Sequence, residues 1–266
     1  NTRHLDIYRA QIALLDKSWQ TQTLGHARTM DGIEMAAIML GTTPEGLLER
    51  PVLLGIINTN SPLQLDIPMA EGLIAMAAHG QVVAITPFTL SGAMAPVTLA
   101  GALTLQHAEA LAGIVLTQIV RTGVPVMYGA FTSNVDMRSG SPAFGTPEYT
   151  KAALASGQLA RHIRVPFRSS NVTAANEVDA QAAYESQMAL WGALMGGAHL
   201  LEHAAGWMHG GLTASFEKLI LDAEMLQMMD AFFAPLDVST ATLAVQAIRD
   251  VGPAGHFFGA AHTMER

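Results

Sequence analysis

The amino-acid sequence predicts an α/β fold of the TIM-type (β/α)8 barrel class, on three observations. Short apolar runs alternate with longer helical patterns, about six times, which is the mark of a parallel sheet with helical crossovers. The runs are nearly continuous in apolar residues, as strands buried on both faces require. No Gly-x-Gly-x-x-Gly follows the first run and no Walker A loop is present, so a nucleotide-binding doubly wound sheet loses support. With about six repeats visible, roughly one or two of the eight would lie outside this chain. The start at Asn1 and the abrupt end at "HTMER" also read as those of a fragment lacking N- and C-terminal parts. Residues 1–266 are expected to form a single barrel domain without an internal linker.

The elements follow in order. "WQTQTLG" (Trp19 to Gly25) is the first expected strand. A helix follows over "TMDGIEMAAIMLG", ending at Gly41, with another at "TPEGLLER". "VLLGIIN" (Val52 to Asn58) is a strand, followed by the helix "IPMAEGLIAMAAHG". "QVVAITPF" (Gln81 to Phe88) is a strand, and "ALTLQHAEALAGIVLTQIVRTG" is a long helix. "PVMYGAF" (Pro125 to Phe131) is the next strand. Its helix is "TPEYTKAALASGQLARHI", with Thr146 as cap and Pro147 in the first turn, where proline fits. "VPFRSS" is a short strand, and "DAQAAYESQMALWGALMGG" is a helix closed by Gly196 and Gly197. "AHLLEHAAG" is read as a strand, and "GLTASFEKLILDAEMLQMMDAFF" and "TATLAVQAIRDVG" as helices. The Met stripe in "AEMLQMMDAFF" has helical spacing and reads as core or covered interface.

Composition narrows the function. Hydrophobic residues make up 50% of the 266 and charged residues 14%, so the chain can bury a large core. A net charge of -8 with no basic cluster argues against nucleic acid as a partner. The absence of Cys excludes disulfides, thiolate metal sites and a Cys nucleophile, and fits a cytoplasmic enzyme. No signal peptide is seen. The uncharged stretch from Gly72 to Ala108 is broken by Pro87, Gly92 and Pro96, so it reads as buried strand, loop and helix start, not as a membrane span.

In barrels of this class the chemistry sits where the strands end. The expected strand ends are "NTNSP" (Asn58 to Pro62), "TPFTLSG" (Thr86 to Gly92), "GAFTSNVDMRSG" (Gly129 to Gly140), "RSSN" (Arg168 to Asn171) and "EHAAGW" (Glu202 to Trp207). All are rich in polar or aromatic residues. The long polar loop within "YGAFTSNVDMRSGSPAFGTPEYT" (Tyr128 to Thr150) therefore lies on the expected active face, and loops of this length are usually functional or disordered. "HLLEH" (His199 to His203) spells an inverted zinc-protease pattern, which needs a helix. Gly196-Gly197 ends the helix before it, so a strand is expected and the zinc reading fails.

At these strand ends "INTNSPLQLD", "TPFTLSGAMAPVTLAGAL", "GSPAFGTPE", "DAQAAYES", "HAAGW" and "GGLTASFEK" together resemble the trimethylamine methyltransferase family of corrinoid-dependent methyltransferases. The resemblance runs from about Arg3 to His262. It implies a (β/α)8 barrel that moves a methyl group from a methylamine to the cobalt of cobalamin carried by a separate corrinoid protein, with no metal bound by this chain. The trimethylamine enzymes of the family carry pyrrolysine in a loop after a late strand. The matching stretch here, "SSNVTAANEVD" (Ser169 to Asp179), holds only ordinary residues. The chain thus resembles the branch without pyrrolysine, some of whose members demethylate quaternary amines such as glycine betaine.

A quaternary ammonium needs no prior activation, because its leaving group is already a neutral amine. Phe88, Phe131 and Trp207 are candidates for an aromatic cage around it, or for ordinary packing. Arg138, and after it Arg168, are candidates for a betaine carboxylate, or for pairing with Asp136 or a helix C-terminus. Asn58, Asn60, Asn134 and Asn171 are polar candidates for the substrate, and the first three could equally cap helices or shape turns. Glu202, His203 and Asp136 are the candidate catalytic groups. The same three would serve an alternative metal-dependent lyase or hydrolase, and a non-catalytic binding barrel is the third reading. His256 and His262 receive no role. A homo-oligomer is expected, since barrels with apolar helices often associate.

Overall fold

The fold is a computed structural model that describes residues 2–265. It divides into two compact units, one running to Met225 and one from Leu226 onward. The first unit opens with α1 (Arg3–Leu14), β1 (Trp19–Thr21) and α2 (His26–Met39). β2 (Leu53–Ile57), α3 (Ile67–Ala78), β3 (Val82–Ile85), β4 (Leu90–Ser91) and α4 (Leu99–Val120) follow. Next come β5 (Val126–Gly129), β6 (Ser133–Asn134), α5 (Pro147–His162), β7 (Phe167–Ser170), α6 (Ala180–Met195) and β8 (Leu200–Glu202). The short strands β9 (Trp207–Met208) and β10 (Thr213–Ala214) precede α7 (Phe216–Phe233). The second unit carries α8 (Thr240–Leu243), α9 (Val245–Val251) and α10 (Ala261–Met264).

Six strands form one parallel sheet in the order β1-β2-β3-β5-β7-β8. Each pairs with the next in the sheet order, so every crossover passes through a helix and the topology is strand-helix repeated. The sheet is curled, because residues beside β1 and residues at the end of β8 line one cavity. Among the described residues β1 and β8 are its edges. The core lies between strands and helices: Ile57, Val83, Ile85, Tyr128 and Phe167 meet Ile33, Leu73, Met76 and Ala110 in one buried cluster. α4 is long and apolar enough to cross a membrane by length and composition. Its buried face nevertheless carries Gln106, Glu109 and Thr117, all bonded within the protein.

Four successive crossover helices start on the same device. Asp66, Thr98, Thr146 and Asp179 each accept a hydrogen bond from the backbone N–H three residues on, capping α3, α4, α5 and α6. Pro68 and Pro147 sit in the first turns of α3 and α5, where a missing N–H costs nothing.

Several expected elements differ. α1 was not among the expected elements; His4 and Tyr8 are its buried residues, and Leu5, Ile7 and Ile12 pack against the core. The segment "TPEGLLER" makes only a 3-10 turn, Glu45–Leu47. Only Leu200–Glu202 of "AHLLEHAAG" is strand, since His203 turns the chain at φ 53. "GLTAS" pairs back as β10 on β9 before α7 begins at Phe216. The expected helix over 240–252 breaks at Ala244, which adopts a left-handed φ of 49. In the Met stripe Met225 and Met229 are buried while Met228 is exposed.

Candidate active site

The carboxyl ends of the sheet strands converge on a cavity of about 330 Å³. One wall comes from β1 and the segment after it, with Gln20, Gln22 and Thr23, and from Asn58 after β2. The other comes from Phe88, Phe131, Arg168, Glu202 and His203. Residues at the expected strand ends thus line one cavity with residues of both sheet edges.

Arg168 stands at the bottom of it. Its residue is 2% exposed, and its Nε and Nη1 have no hydrogen-bond partner. Its guanidinium carbon lies 5.6 Å from the centroid of the Phe131 ring. Burial pulls its pKa below the ordinary arginine range, while the charge of Glu202 and the neighbouring Tyr149 pull it back. A guanidinium stays protonated even so. β7 holds it in place: the Arg168 carbonyl accepts from Ala130 N at 3.2 Å, beside Gly129, its register partner on β5. Gly129 must be glycine there, because a Cβ would stand 2.0 Å from Thr86 Oγ1 and 2.8 Å from the Ile85 carbonyl.

His203 follows at the mouth. Its Nδ1 lies 3.2 Å from Ser170 Oγ. Its ring meets Phe131 edge-on at 5.6 Å and tilts against Trp207 at 5.3 Å. Burial first, and then the positive charge of Arg168, depress its pKa to about 4. It is therefore neutral near pH 7.

The aromatic residues form one cluster. Phe131 touches Phe88 at 5.5 Å, Phe144 at 5.1 Å and Trp207 at 6.3 Å between centroids. Phe88 and Phe131 also line the cavity, whereas Trp207 packs behind them against Phe144 and His203. Phe144 and Tyr149 belong to the cluster and were missed in the sequence. Both lie in or after the polar loop, and nothing in their spacing marks them as facing inward.

The structure does not bring every candidate to the cavity. Asp136 is a turn residue: its carboxylate accepts from Arg138 N at 2.9 Å and from Ser139 Oγ at 2.7 Å. Those bonds, the Arg138 N–H foremost, hold its pKa below the usual carboxylate range. Arg138 lies in the same exposed turn, away from the cavity walls. The loop folds on itself through β6, which pairs with β4, and Asp136 and Arg138 at its tip are exposed and outside the cavity lining. Asn134 accepts from Thr146 Oγ1 at 2.7 Å and so ties that loop to the cap of α5. Asn60 accepts from Asp66 N at 3.0 Å and shapes the loop after β2. Asn171 is buried and donates to Ala204 O and Asp222 Oδ1, so it too lies outside the cavity. The residues missed are Gln20, in the first strand, and Gln22 and Thr23, which follow it; none carries a motif.

Buried carboxylates on the helices fix the strand-end loops. Glu109 on α4 accepts from Thr59 Oγ1, from Ser61 Oγ at 2.8 Å and from Leu63 N at 2.8 Å. Glu185 on α6 accepts from Thr173 Oγ1 at 2.7 Å and Ala174 N at 2.8 Å. Asp222 on α7 pairs with Lys218 and accepts from Gly206 N at 2.8 Å. Each satisfies loop N–H and hydroxyl groups that would be costly to bury unpaired.

In "HLLEH" the strand Leu200–Glu202 separates the two histidines: His199 Nδ1 accepts from Phe167 N at one end of β8 and His203 reaches the cavity at the other. Among the described residues no group of three or more His, Asp or Glu is placed to hold a metal ion.

Comparison with known proteins agrees with this architecture. A family model described as trimethylamine methyltransferase (MTTB) matches residues 1–266. The chain is 39% identical over 264 residues to a glycine betaine methyltransferase of Desulfitobacterium hafniense (strain Y51), covering 99% of this chain and 55% of that protein. It is 32% identical over 232 residues to a trimethylamine methyltransferase MttB of Desulfitobacterium hafniense (strain DSM 10664 / DCB-2), covering 87% of this chain and 46% of the relative. A trimethylamine methyltransferase MttB of Methanosarcina barkeri (strain Fusaro / DSM 804) is 30% identical over 226 residues, covering 85% and 46%. The chain spans about half the length of the curated relatives it matches. With the whole chain matched by one family model, and with relatives that act on methylated amines, it belongs to the trimethylamine methyltransferase family.

Proposed function

We propose that this protein is a methyltransferase that takes a methyl group from a quaternary amine, glycine betaine first, or from a methylamine, and delivers it to the cobalt of cobalamin carried by a separate corrinoid protein. The observation that carries this reading is the cavity itself, whose lining gathers two aromatic rings, Phe88 and Phe131, and one carboxylate, Glu202, with the Arg168 guanidinium over the Phe131 ring. An onium ion is attracted to ring faces and to a carboxylate, and needs neither metal nor covalent nucleophile to hold it. The loop Ser169 to Asp179 is built from ordinary residues and is pinned by Glu185, which favours a substrate that needs no activation.

The side chains divide the work. Phe88 and Phe131 would seat the methylated nitrogen, and Glu202 would balance its charge. His203, neutral at pH 7, adds an apolar edge without a competing cation. The corrinoid would supply the nucleophile that accepts the methyl group, the C–N electron pair leaving with the amine. The chain's own contribution is positioning, holding one methyl group in line at the cavity mouth.

The remaining expectations belong to this proposal. A closed eight-stranded barrel would need two further strands between β8 and β1. One catalytic domain, a cytoplasmic location and a homo-oligomer complete it. The test is single-turnover methyl transfer by the intact protein with reduced corrinoid and its carrier protein, following each demethylated amine by mass spectrometry. We expect dimethylglycine from glycine betaine. Failure to form a demethylated product from glycine betaine, trimethylamine or carnitine would sink the reading.

A further inference from the structure

We infer that the buried Lys218–Asp222 pair on α7 is a positioning device for the cavity: it fixes residues 202–207 at the end of β8, and with them the stance of the His203 and Trp207 rings against Phe131. Its consequence for methyl transfer rests on the reading of the cavity as a methylated-amine site, whereas the placement of His203 does not.

Lys218 and Asp222 stand one turn apart on α7, and both are 0% exposed. Taking two charges out of water is costly, and well-packed apolar side chains of similar volume are often as stable or more so. Stability alone therefore gives little reason for charges here. The hydrogen bonds give another. The Asp222 carboxylate accepts from Lys218 Nζ, from Gly206 N at 2.8 Å and from Asn171 Nδ2 at 3.2 Å. Gly206 lies in the segment after β8, and Asn171 directly follows β7. Lys218 Nζ also donates to Ser186 Oγ on α6 at 2.8 Å, so it supplies the counter-charge and moors the pair to the neighbouring helix.

The segment is one that needs holding. His203 has a φ of 53 and Gly206 a φ of 84. A left-handed backbone is unfavourable for a residue with a Cβ, and it persists where the surroundings impose it. Four bonds impose it here. Asn171 N donates to Glu202 O at 3.0 Å, and Asn171 Nδ2 to Ala204 O at 3.0 Å. Gly206 N donates to Asp222, and Ser215 N donates to Gly206 O at 3.0 Å. Asp222 thus holds the segment directly at Gly206 and, through the Asn171 amide, at Ala204. His203 and Trp207 flank those two anchors. Their rings are 5.3 Å apart and stand 5.6 and 6.3 Å from Phe131, a cavity wall. Neither Lys218 nor Asp222 lines the cavity, so both act through the segment. Misplacement of the surroundings of a reacting centre by about 1 Å costs roughly a hundredfold in rate.

The test compares four chains of the intact protein. Asp222→Leu with Lys218→Met removes both charges and the acceptor. Asp222→Asn with Lys218→Met removes both charges and keeps an acceptor for Gly206 N. Gly157→Ala is a destabilised control whose close contact is with Gly196, and the wild type is the reference. NMR titration of isotope-labelled histidines, assigned with His203→Gln, reads the segment without any substrate. Single-turnover methyl transfer from glycine betaine to reduced corrinoid on its carrier protein reads the reaction. In the leucine variant His203 should titrate about one pH unit or more above the wild-type value of about 4, as water reaches the loosened ring. Transfer at saturating glycine betaine should slow about tenfold to a hundredfold. The half-saturating concentration should change less than about threefold, because Phe88 and Phe131 stand on other loops. The asparagine variant should recover most of both readouts, and Gly157→Ala should retain both.

An unchanged His203 titration in the leucine variant would overturn the positioning role. So would a Gly157→Ala chain that moves as far, or an equal loss in both double variants. Should the leucine variant not fold, Asn171→Ala, which cuts the bonds to Ala204 O and Asp222 and leaves both charges, must raise the His203 titration, and no rise overturns the role. A wild type that demethylates no amine, with the His203 response as expected, would sink the methylated-amine reading and leave the placement of His203 standing.

Discussion

At the scale of the residue, His203 shows how burial sets a charge state. Its pKa is depressed to about 4 against an ordinary 6.5, first by burial and then by Arg168. The unfolded chain would take up a proton that the folded site refuses. Its contribution to stability is thus complete above about pH 6.5 and is lost as pH falls toward 4, at up to about 1.4 kcal/mol per pH unit. Denaturant unfolding of the wild type and of His203→Gln over that window checks this. The variant should lose stability less steeply on acidification, and parallel curves would show that His203 does not couple folding to pH. The sequence offered His203 as a candidate beside Glu202 and Asp136 on residue type alone. The structure separates them, because Asp136 spends its carboxylate on its own turn while His203 and Glu202 face the cavity.

At the scale of the element, close packing of helices decides more than propensity. Gly157 on α5 sits where a Cβ would lie 1.9 Å from the Gly196 carbonyl at the end of α6. Backbone cannot yield as a flexible side chain can, so Gly157→Ala should destabilise the protein by about 1–3 kcal/mol or more despite the better helix propensity of alanine. Thermal unfolding would read this, and a rise in midpoint would count against the tight α5–α6 crossing. Most element types were legible here: the alternation of strand and helix, the cap Thr146, and the proline at the start of α5 are local chemistry written in a few consecutive residues. The losses have equally local causes. "GLTAS" is too short for a pattern, and Ala244 takes a left-handed conformation that its side chain does not announce.

At the scale of the whole molecule, stability should be uneven. Buried apolar residues of the first unit form two clusters, whereas among described residues 231–265 none is buried. Few buried contacts mean low-energy local opening. Hydrogen exchange should therefore be slowest at the amides of β2 and β3 and many-fold faster over residues 234–265. Equal protection of the two regions would show that the second unit is covered in the protein as it works. The buried carboxylates Glu109, Glu185 and Asp222 act at this scale too, each tying a helix to the loop that ends a strand.

The sequence by itself determined the parallel α/β repeat and the family, because these rest on periodicity and on ordered motifs that a linear reading preserves. Only the tertiary structure decided which strand-end residues meet. Curling the sheet brings Gln20 and Gln22 opposite Glu202 and His203, across nearly the length of the first unit, and no local pattern encodes that approach. It also placed two arginines differently. Arg138 looked the better placed in a long polar loop, but the loop satisfies its own backbone and holds its tip in water. Arg168, inside a short strand, is the one that the fold buries at the cavity with donors unspent. Local chemistry fixes what a segment is, and only long-range packing fixes which side chains lose their water and must find a partner.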